Sequence, residues 1–299
     1  MRKLSTQMQH LFTASCVISL ILTGSVQAAV ILNETDPNAA DWHYASGGTS
    51  PSITGGSSLT VDFGTGVGGN SAYAFRNFST AAVGIGDSIS VSLDITPNAN
   101  TETFHRRLVF SLFSSNGQTQ FNADQSGTDF FSRQYTSLNV QTPLDTLGGS
   151  SFNQSRVNGG RHLSSGLSDR NILTEVFGTT ADSGIFSPTA GFEQTLTSSF
   201  ALTLTRNSIT EVAVSWSVDG TPVTFSGGTL TNASWDATTW DDFDGIAIGF
   251  TSNNAADNAG FTLDNLNITT TPVPEPTSFA LIGAGGLLLY LFRRSAKKD

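Results

Sequence analysis

The segment Trp235-Asp236-Ala237-Thr238-Thr239-Trp240-Asp241-Asp242-Phe243-Asp244 gathers two indole rings and four carboxylates into one short stretch. Aromatic rings stack on the apolar faces of sugars, and neighbouring carboxylates accept hydroxyl hydrogen bonds or hold calcium. Trp235, Trp240, Asp241, Asp242 and Asp244 are therefore the leading candidate ligand-binding residues. The competing reading is packing, in which Trp235 and Trp240 plug one end of the fold and the acids are solvated. An EF-hand does not fit: Trp240 stands at the first ligand position, although Asp242, Asp244 and Gly245 fall at the third, fifth and sixth.

Other reactive constellations are sparse. Outside the first 28 residues the histidines are His43, His105 and His162, at no metal-ligand spacing. The single cysteine is Cys16, so neither a disulfide framework nor a thiolate metal site is available to the rest of the chain. Gly86-Asp87-Ser88-Ile89 has the letters of a GDSL hydrolase nucleophile block, but it precedes a strand pattern, lacks a following helix, and no histidine comes after His162. It reads as a turn. Carboxylates for glycoside hydrolysis are plentiful, yet nothing singles out a pair, and the expectation is a non-catalytic protein.

Residues 29–271 carry eight arginines and no lysine against 22 Asp and Glu, a formal charge of −14. Such a surface disfavours nucleic acid and anionic lipid and favours solubility or cation binding. The length is enough to bury a substantial core as one domain without disulfides.

The elements that must position these groups alternate. Ser57–Phe63, Ala72–Phe78, Ser88–Thr96, Arg107–Ser114, Phe200–Arg206, Thr210–Val218, Gly245–Thr251 and Gly260–Ile268 read as strands, joined by turns rich in Gly, Asn, Asp and Ser. Val91, Leu93 and Ile95 share one face, as do Leu202 with Leu204 and Val212 with Val214 and Trp216. Asp219-Gly220 between two such runs marks a hairpin. Gly148–Ser168, rich in glycine and serine with little periodicity, reads as a long surface loop. The expected fold class is all-β, a two-sheet antiparallel jelly-roll or concanavalin-like sandwich.

Asp244-Gly245-Ile246-Ala247-Ile248-Gly249-Phe250 and Phe261-Thr262-Leu263-Asp264-Asn265-Leu266-Asn267-Ile268 resemble the closing strands of jelly-roll carbohydrate-binding modules and laminin-G-like domains. The resemblance implies that Asp264 helps hold a structural calcium, with Glu34 or Asp36 as partners. Calcium needs six to eight oxygens, and the alternative is that Asp264-Asn265 caps or turns a strand edge.

Both termini read as addresses. Arg2 and Lys3 precede an apolar core densest from Val17 to Leu22, and Val26-Gln27-Ala28 supplies small residues, so residues 1–28 read as a signal peptide cut after Ala28. A lipoprotein reading of Thr13-Ala14-Ser15-Cys16 is weak, because most of the apolar core follows the cysteine. At the other end Phe279–Phe292 is 14 residues without a charge, a helix of roughly 21 Å against a hydrocarbon core of about 30 Å: a short, marginal transmembrane anchor. Arg293, Arg294, Lys297 and Lys298 favour a cytoplasmic C-terminus. Pro272, Pro274 and Pro276 keep the preceding segment extended, as a peptidase substrate requires.

Val273-Pro274-Glu275-Pro276, the apolar run and Arg293-Arg294 together resemble the PEP-CTERM sorting signal of Gram-negative, exopolysaccharide-producing bacteria. The resemblance spans residues 272–299. It implies an exosortase-type membrane peptidase as partner, a transient inner-membrane anchor, and delivery to the cell surface or extracellular matrix. The leading functional expectation is an exported surface or matrix protein that binds polysaccharide without catalysis. A structural or adhesive protein with protein partners is the second, and a polysaccharide hydrolase the third. Glu275→Ala is expected to block C-terminal processing, read as a mass shift in whole-cell immunoblots; unchanged processing would mark a plain tail anchor.

Overall fold

The computed structural model describes residues 27–46, 51–64, 72–97, 107–126, 136–143, 156–161, 181–182, 197–223, 229–231, 241–251 and 259–273. Ala28–Thr271 form one compact unit. The expected all-β, two-sheet sandwich is what these residues build, with two hydrogen-bonded sheets and one 3-10 turn at Ala39–Asp41.

The front sheet runs β14 (Thr221–Val223), β13 (Glu211–Val218), β12 (Ser198–Arg206), β6 (Ser88–Pro97), β17 (Ala259–Thr271), β4 (Leu59–Gly64), β3 (Ser52–Thr54). β15 (Thr229–Thr231) also pairs with β13, and β1 (Ala29–Glu34) with the second half of β17. The back sheet runs β11 (Ala181–Asp182), β10 (Arg156–Arg161), β9 (Thr136–Pro143), β7 (Arg107–Ser114), β16 (Asp242–Thr251), β5 (Ala72–Ala82), β2 (His43–Ser46), β8 (Gln125–Ser126). Pairing is antiparallel throughout except between β2 and β8.

Strict alternation in β6, β12 and β13 sends every second side chain inward. Val91, Leu93 and Ile95, Leu202 and Leu204, and Val212, Val214 and Trp216 meet Leu108, Phe110, Leu112, Ile246 and Ile248 of the back sheet in one continuous core. Phe110 of the back sheet bridges the layers, its ring 5.0 Å from that of Phe200 and 5.1 Å from that of Trp216 on the front sheet.

β5, β7 and β16 behave differently. Ala72-Tyr73-Ala74-Phe75, Leu108–Phe113 and Ile246-Ala247-Ile248 are buried on both faces of the back sheet. Their inward residues join the main core, while Tyr73, Phe75, Val109, Phe113 and Ala247 join Ala45 in a second apolar cluster against which Phe121 packs. Continuous apolar runs are what double burial demands. Two glycines of β16 make room for that second cluster: a Cβ on Gly245 would meet the ring of Phe113, and one on Gly249 the backbone and ring of Tyr73.

On the inward face of β5, beyond Ala74, an ion pair ties the sheets. Glu34 at the end of β1 receives Arg76 Nη1 of β5, and Arg76 Nη2 lies 3.4 Å from Asp41. Burial lowers the Arg76 pKa from its ordinary value.

The hairpin expected at Asp219-Gly220 is present, with φ of 49° and 75° and Val218 facing Thr221. One expectation is corrected. Within the stretch read as a loop, Arg156–Arg161 forms β10 and pairs with β9 over six residues, because backbone hydrogen bonding to a neighbour needs no side-chain alternation.

Trp216→Ala is expected to lower unfolding free energy by about 3–5 kcal/mol, through lost burial and the void left against Phe110 and Phe200. Arg76→Ala is expected to cost about 3–5 kcal/mol by stranding the Glu34 carboxylate. Urea unfolding of each variant checks both values.

Candidate functional site

Of the sequence-derived ligand residues, Trp235 and Trp240 lie outside the described residues, while Asp241, Asp242 and Asp244 open β16. Asp244 is buried, and it points at the turn after β7. Its Oδ1 accepts from the Ser115 N–H at 2.9 Å, its Oδ2 accepts from Ser115 Oγ, and its carbonyl accepts from Gln120 Nε2 at 3.1 Å. Asp242 Oδ1 accepts from Ser114 Oγ at 2.6 Å. The turn so held is Ser115-Asn116-Gly117-Gln118, closed by Gln118 N–H donating to the Ser115 carbonyl at 3.0 Å, with φ of 52° at Asn116 and 72° at Gly117. Asp242 and Asp244 thus clamp a turn. Burial pushes the Asp244 carboxyl up, against the opposing pull of the Ser115 and Gln120 hydrogen bonds, and the Asp242 charge adds to the rise.

The calcium set is not assembled as the resemblance implied. Glu34 is committed to Arg76. Asp36 and Asp264 do sense one another electrostatically, but among the described residues no group of three or more His, Cys, Asp or Glu is placed to hold a metal ion. Two carboxylates fall short of the six to eight oxygens calcium takes.

What the structure does bring together is the outer face of the front sheet. Cross-strand register sets Thr271, Ser88, Thr205 and Ala213 in one row, then Thr269, Ser90, Thr203 and Ser215, then Asn267, Ser92, Ala201 and Ser217. The next row is Asp264, Asp94 and Ser199. Hydroxyls bond across strands: Ser88 to Thr205 at 2.8 Å, Ser90 to Thr203 at 2.9 Å, and Thr96 to Thr197 at 2.6 Å. No side chain in these rows is larger than Asn or Asp, so the face is a shallow grid of hydroxyls, strands about 4.8 Å apart and alternate residues about 6.7 Å apart.

The acidic row is its electrostatic centre. Asp94 and Asp264 are direct cross-strand partners, an arrangement that like charges resist. A bulge in β17 at this point puts Asn265 at φ 53°. The bulge lets Asn265 Nδ2 donate to Asp94 Oδ2 at 2.7 Å, while Ser199 Oγ donates to Asp94 Oδ1 at 2.5 Å. The Ser199 N–H in turn donates to Asp219 Oδ1 at 2.8 Å. Burial pushes the Asp264 carboxyl up, and the charges of Asp94 and Asp36 add to it. Such a row accepts hydrogen bonds from hydroxylated ligands. Sequence reasoning placed Asp264 but missed Asp94, Ser199 and the grid; the signal was the uniform smallness of the outward residues in Ser88-Ile89-Ser90-Val91-Ser92-Leu93-Asp94.

Residues 272–295 match the PEP-CTERM protein-sorting motif, which contains Val273, Pro274, Glu275, Pro276, Arg293 and Arg294. Val273 is exposed; the rest of that motif and the apolar run lie outside the described residues, among which no helix is long and apolar enough to cross a membrane. Ala28, the expected signal cleavage position, immediately precedes β1 and is exposed. No curated protein matches the chain. Similar solved structures include the lectin UEA-II complexed with galactose, with 13% identity, 82% of this chain and 100% of that one covered, and a TM-score of 0.45. An endo-1,3-beta-glucanase from Streptomyces sioyaensis gives 12% identity, 82% and 97% coverage, and a TM-score of 0.46. The metal-free Emp46p carbohydrate recognition domain gives 10%, 81% and 95%, and 0.43. These are likenesses of chain trace, and the chemistry of the site is read from its own residues.

Asp244→Ala is expected to cost about 1–3 kcal/mol, because the Ser115 N–H is left buried without an acceptor. Asp244→Asn can keep both Ser115 bonds and removes the charge. A carboxyl raised in the fold binds more protons folded than unfolded, so its site loses stability as pH climbs from the unfolded value through the folded one. Asp244→Asn should therefore gain on the parent over that window; urea midpoints from pH 3 upward measure it, and parallel curves would refute it.

Proposed function

We propose that this is an exported, non-catalytic surface or matrix protein whose outer front-sheet face binds polysaccharide. The observation that carries the reading is the acidic row of Asp264, Asp94 and Ser199 crossing a grid of Ser and Thr hydroxyls. Sugar hydroxyls are donors and acceptors at spacings of a few ångströms, and a flat array of both kinds can meet a glycan chain without a deep pocket. Carboxylates form the stronger, charge-assisted bonds. Trp235 and Trp240 would add stacking on sugar faces.

The sorting motif supports the itinerary: export behind a signal peptide ending at Ala28, a transient anchor in the inner membrane of a Gram-negative bacterium, and processing by an exosortase-type peptidase. Release would then place the sandwich at the cell surface or in the exopolysaccharide. The clamped turn under Asp242 and Asp244 supports a rigid module, since both acids are spent on structure.

Purified residues 29–271 are expected to bind a bacterial or algal polysaccharide saturably by calorimetry, with no reducing ends released. Asp264→Ala should weaken that binding about tenfold, the worth of one hydrogen bond to a charged group. Binding indifferent to Asp264→Ala and to Ser92→Arg would move the site off this face, and release of reducing ends would make the protein a hydrolase. Loss of binding in chelator would assign calcium a part.

A further inference from the structure

The large apolar side chains that the described residues expose are Val30, Ile85, Ile209 and Val273, at 63, 58, 52 and 49% of full exposure. Val30, Ile85 and Ile209 are far apart in sequence, but the topology collects them. Ile85 lies in the connection from β5 to β6, where the Gly86 N–H donates to the Arg206 carbonyl at the end of β12. Ile209 lies in the next connection, β12 to β13, which is closed by Asn207 and Ser208 N–H groups donating to Glu211. Thr271, the last residue of β17, faces Ser88, the first of β6, and Val30 faces Thr269. Across the front sheet the order is therefore Ile209, Ile85, Val30, all toward one end of their strands, and Thr271, where β17 ends, lies between Ile85 and Val30 at that end. With strands about 4.8 Å apart, the row runs roughly 15–20 Å.

This is the end from which the sorting segment leaves. Seven residues lie between Thr271 and Phe279, the start of the apolar run, so the end of β17 is tethered within about 26–29 Å of it. The headgroup layer on one side of a bilayer is roughly 5–8 Å deep, and the tether thus allows the row to rest on it.

We propose that this end is a docking rim for the bilayer surface, holding the sandwich against the membrane while the chain is anchored; the inference rests on the anchoring reading above. Ile85 and Ile209 each stand on their own turn among Gly, Ser and Thr, in Gly84-Ile85-Gly86 and Ser208-Ile209-Thr210. Separate apolar tips can enter a headgroup layer one by one, whereas a protein partner of ordinary kind asks for a contiguous patch. Asp87, Glu211, Asp241 and Asp242 also lie at this end of the sandwich, so the surface it fits is zwitterionic lipid. Docking orients the hydroxyl grid, which covers a sheet face, roughly along the membrane normal.

The test uses the mature chain, residues 29–299, which contains no cysteine, reconstituted in phosphatidylcholine vesicles containing brominated lipid. Single cysteines at Ile85→Cys, Ile209→Cys and, at the far end of the front sheet, Thr221→Cys carry an environment-sensitive fluorophore. Probes at 85 and 209 are expected to be quenched about twofold while the probe at 221 is not, as shallow interfacial contact requires. If the chain resists alkaline carbonate extraction but all three probes stay equally unquenched, the docking rim is overturned and the anchor stands. A chain released by carbonate overturns both. Quenching at 85 and 209 that arises only when a membrane peptidase is co-reconstituted would reassign the rim to a protein partner.

Discussion

Everything in this protein depends on two sheets burying their facing side chains against each other. Phe110, Phe200 and Trp216 sit where the layers meet, and the Val, Leu and Ile residues of β6, β12, β13 and β17 close around them. Apolar burial contributes roughly 25 cal/mol per Å², and with no cysteine among the described residues no disulfide shares the task. The ion pair of Arg76 with Glu34 is tolerated because it spans the seam where β1 meets β5 and each charge has its partner. Paired, the two charges add little net stability; removing one partner is what costs.

The same alternation that builds the core also builds the candidate site. In β6 the inward residues are Ile89, Val91, Leu93 and Ile95, so the outward ones, Ser88, Ser90, Ser92 and Asp94, have no choice of face. A slip of one residue would bury every hydroxyl and expose every aliphatic side chain, which locks the grid as firmly as the core. The Asp94 and Asp264 opposition is the one place where this lattice is electrostatically uncomfortable, and the bulge with Asn265 beside it supplies a donor in compensation.

The sandwich was legible because period two is a strong signal wherever one face is wet: β6, β12 and β13 could be read nearly to the residue. β5, β7 and β16 were recognisable as strands, but their unbroken apolar runs meant more than a strand; they meant a second buried face, with Phe113 lying over Gly245. β10 was missed because Arg156-Val157-Asn158-Gly159-Gly160-Arg161 owes its shape to β9 and not to its own pattern. For the site, acids were found and their partners were not. Nothing in Trp240-Asp241-Asp242-Phe243-Asp244 announces that Asp244 turns inward to Ser115, a residue more than a hundred positions earlier.

The placement of the last two strands fixes the order of events during synthesis. β16 lies between β7 and β5 in the middle of the back sheet, and β17 lies between β6 and its partners β4 and β1 in the front sheet. Until residues 242–271 have emerged, both sheets are split into halves that cannot pair, and neither hydrophobic layer can close. Closure must wait for contacts between the first and last strands, the slow, long-range kind. The sandwich is thus completed only with its last two strands, as the segment bearing its sorting motif follows.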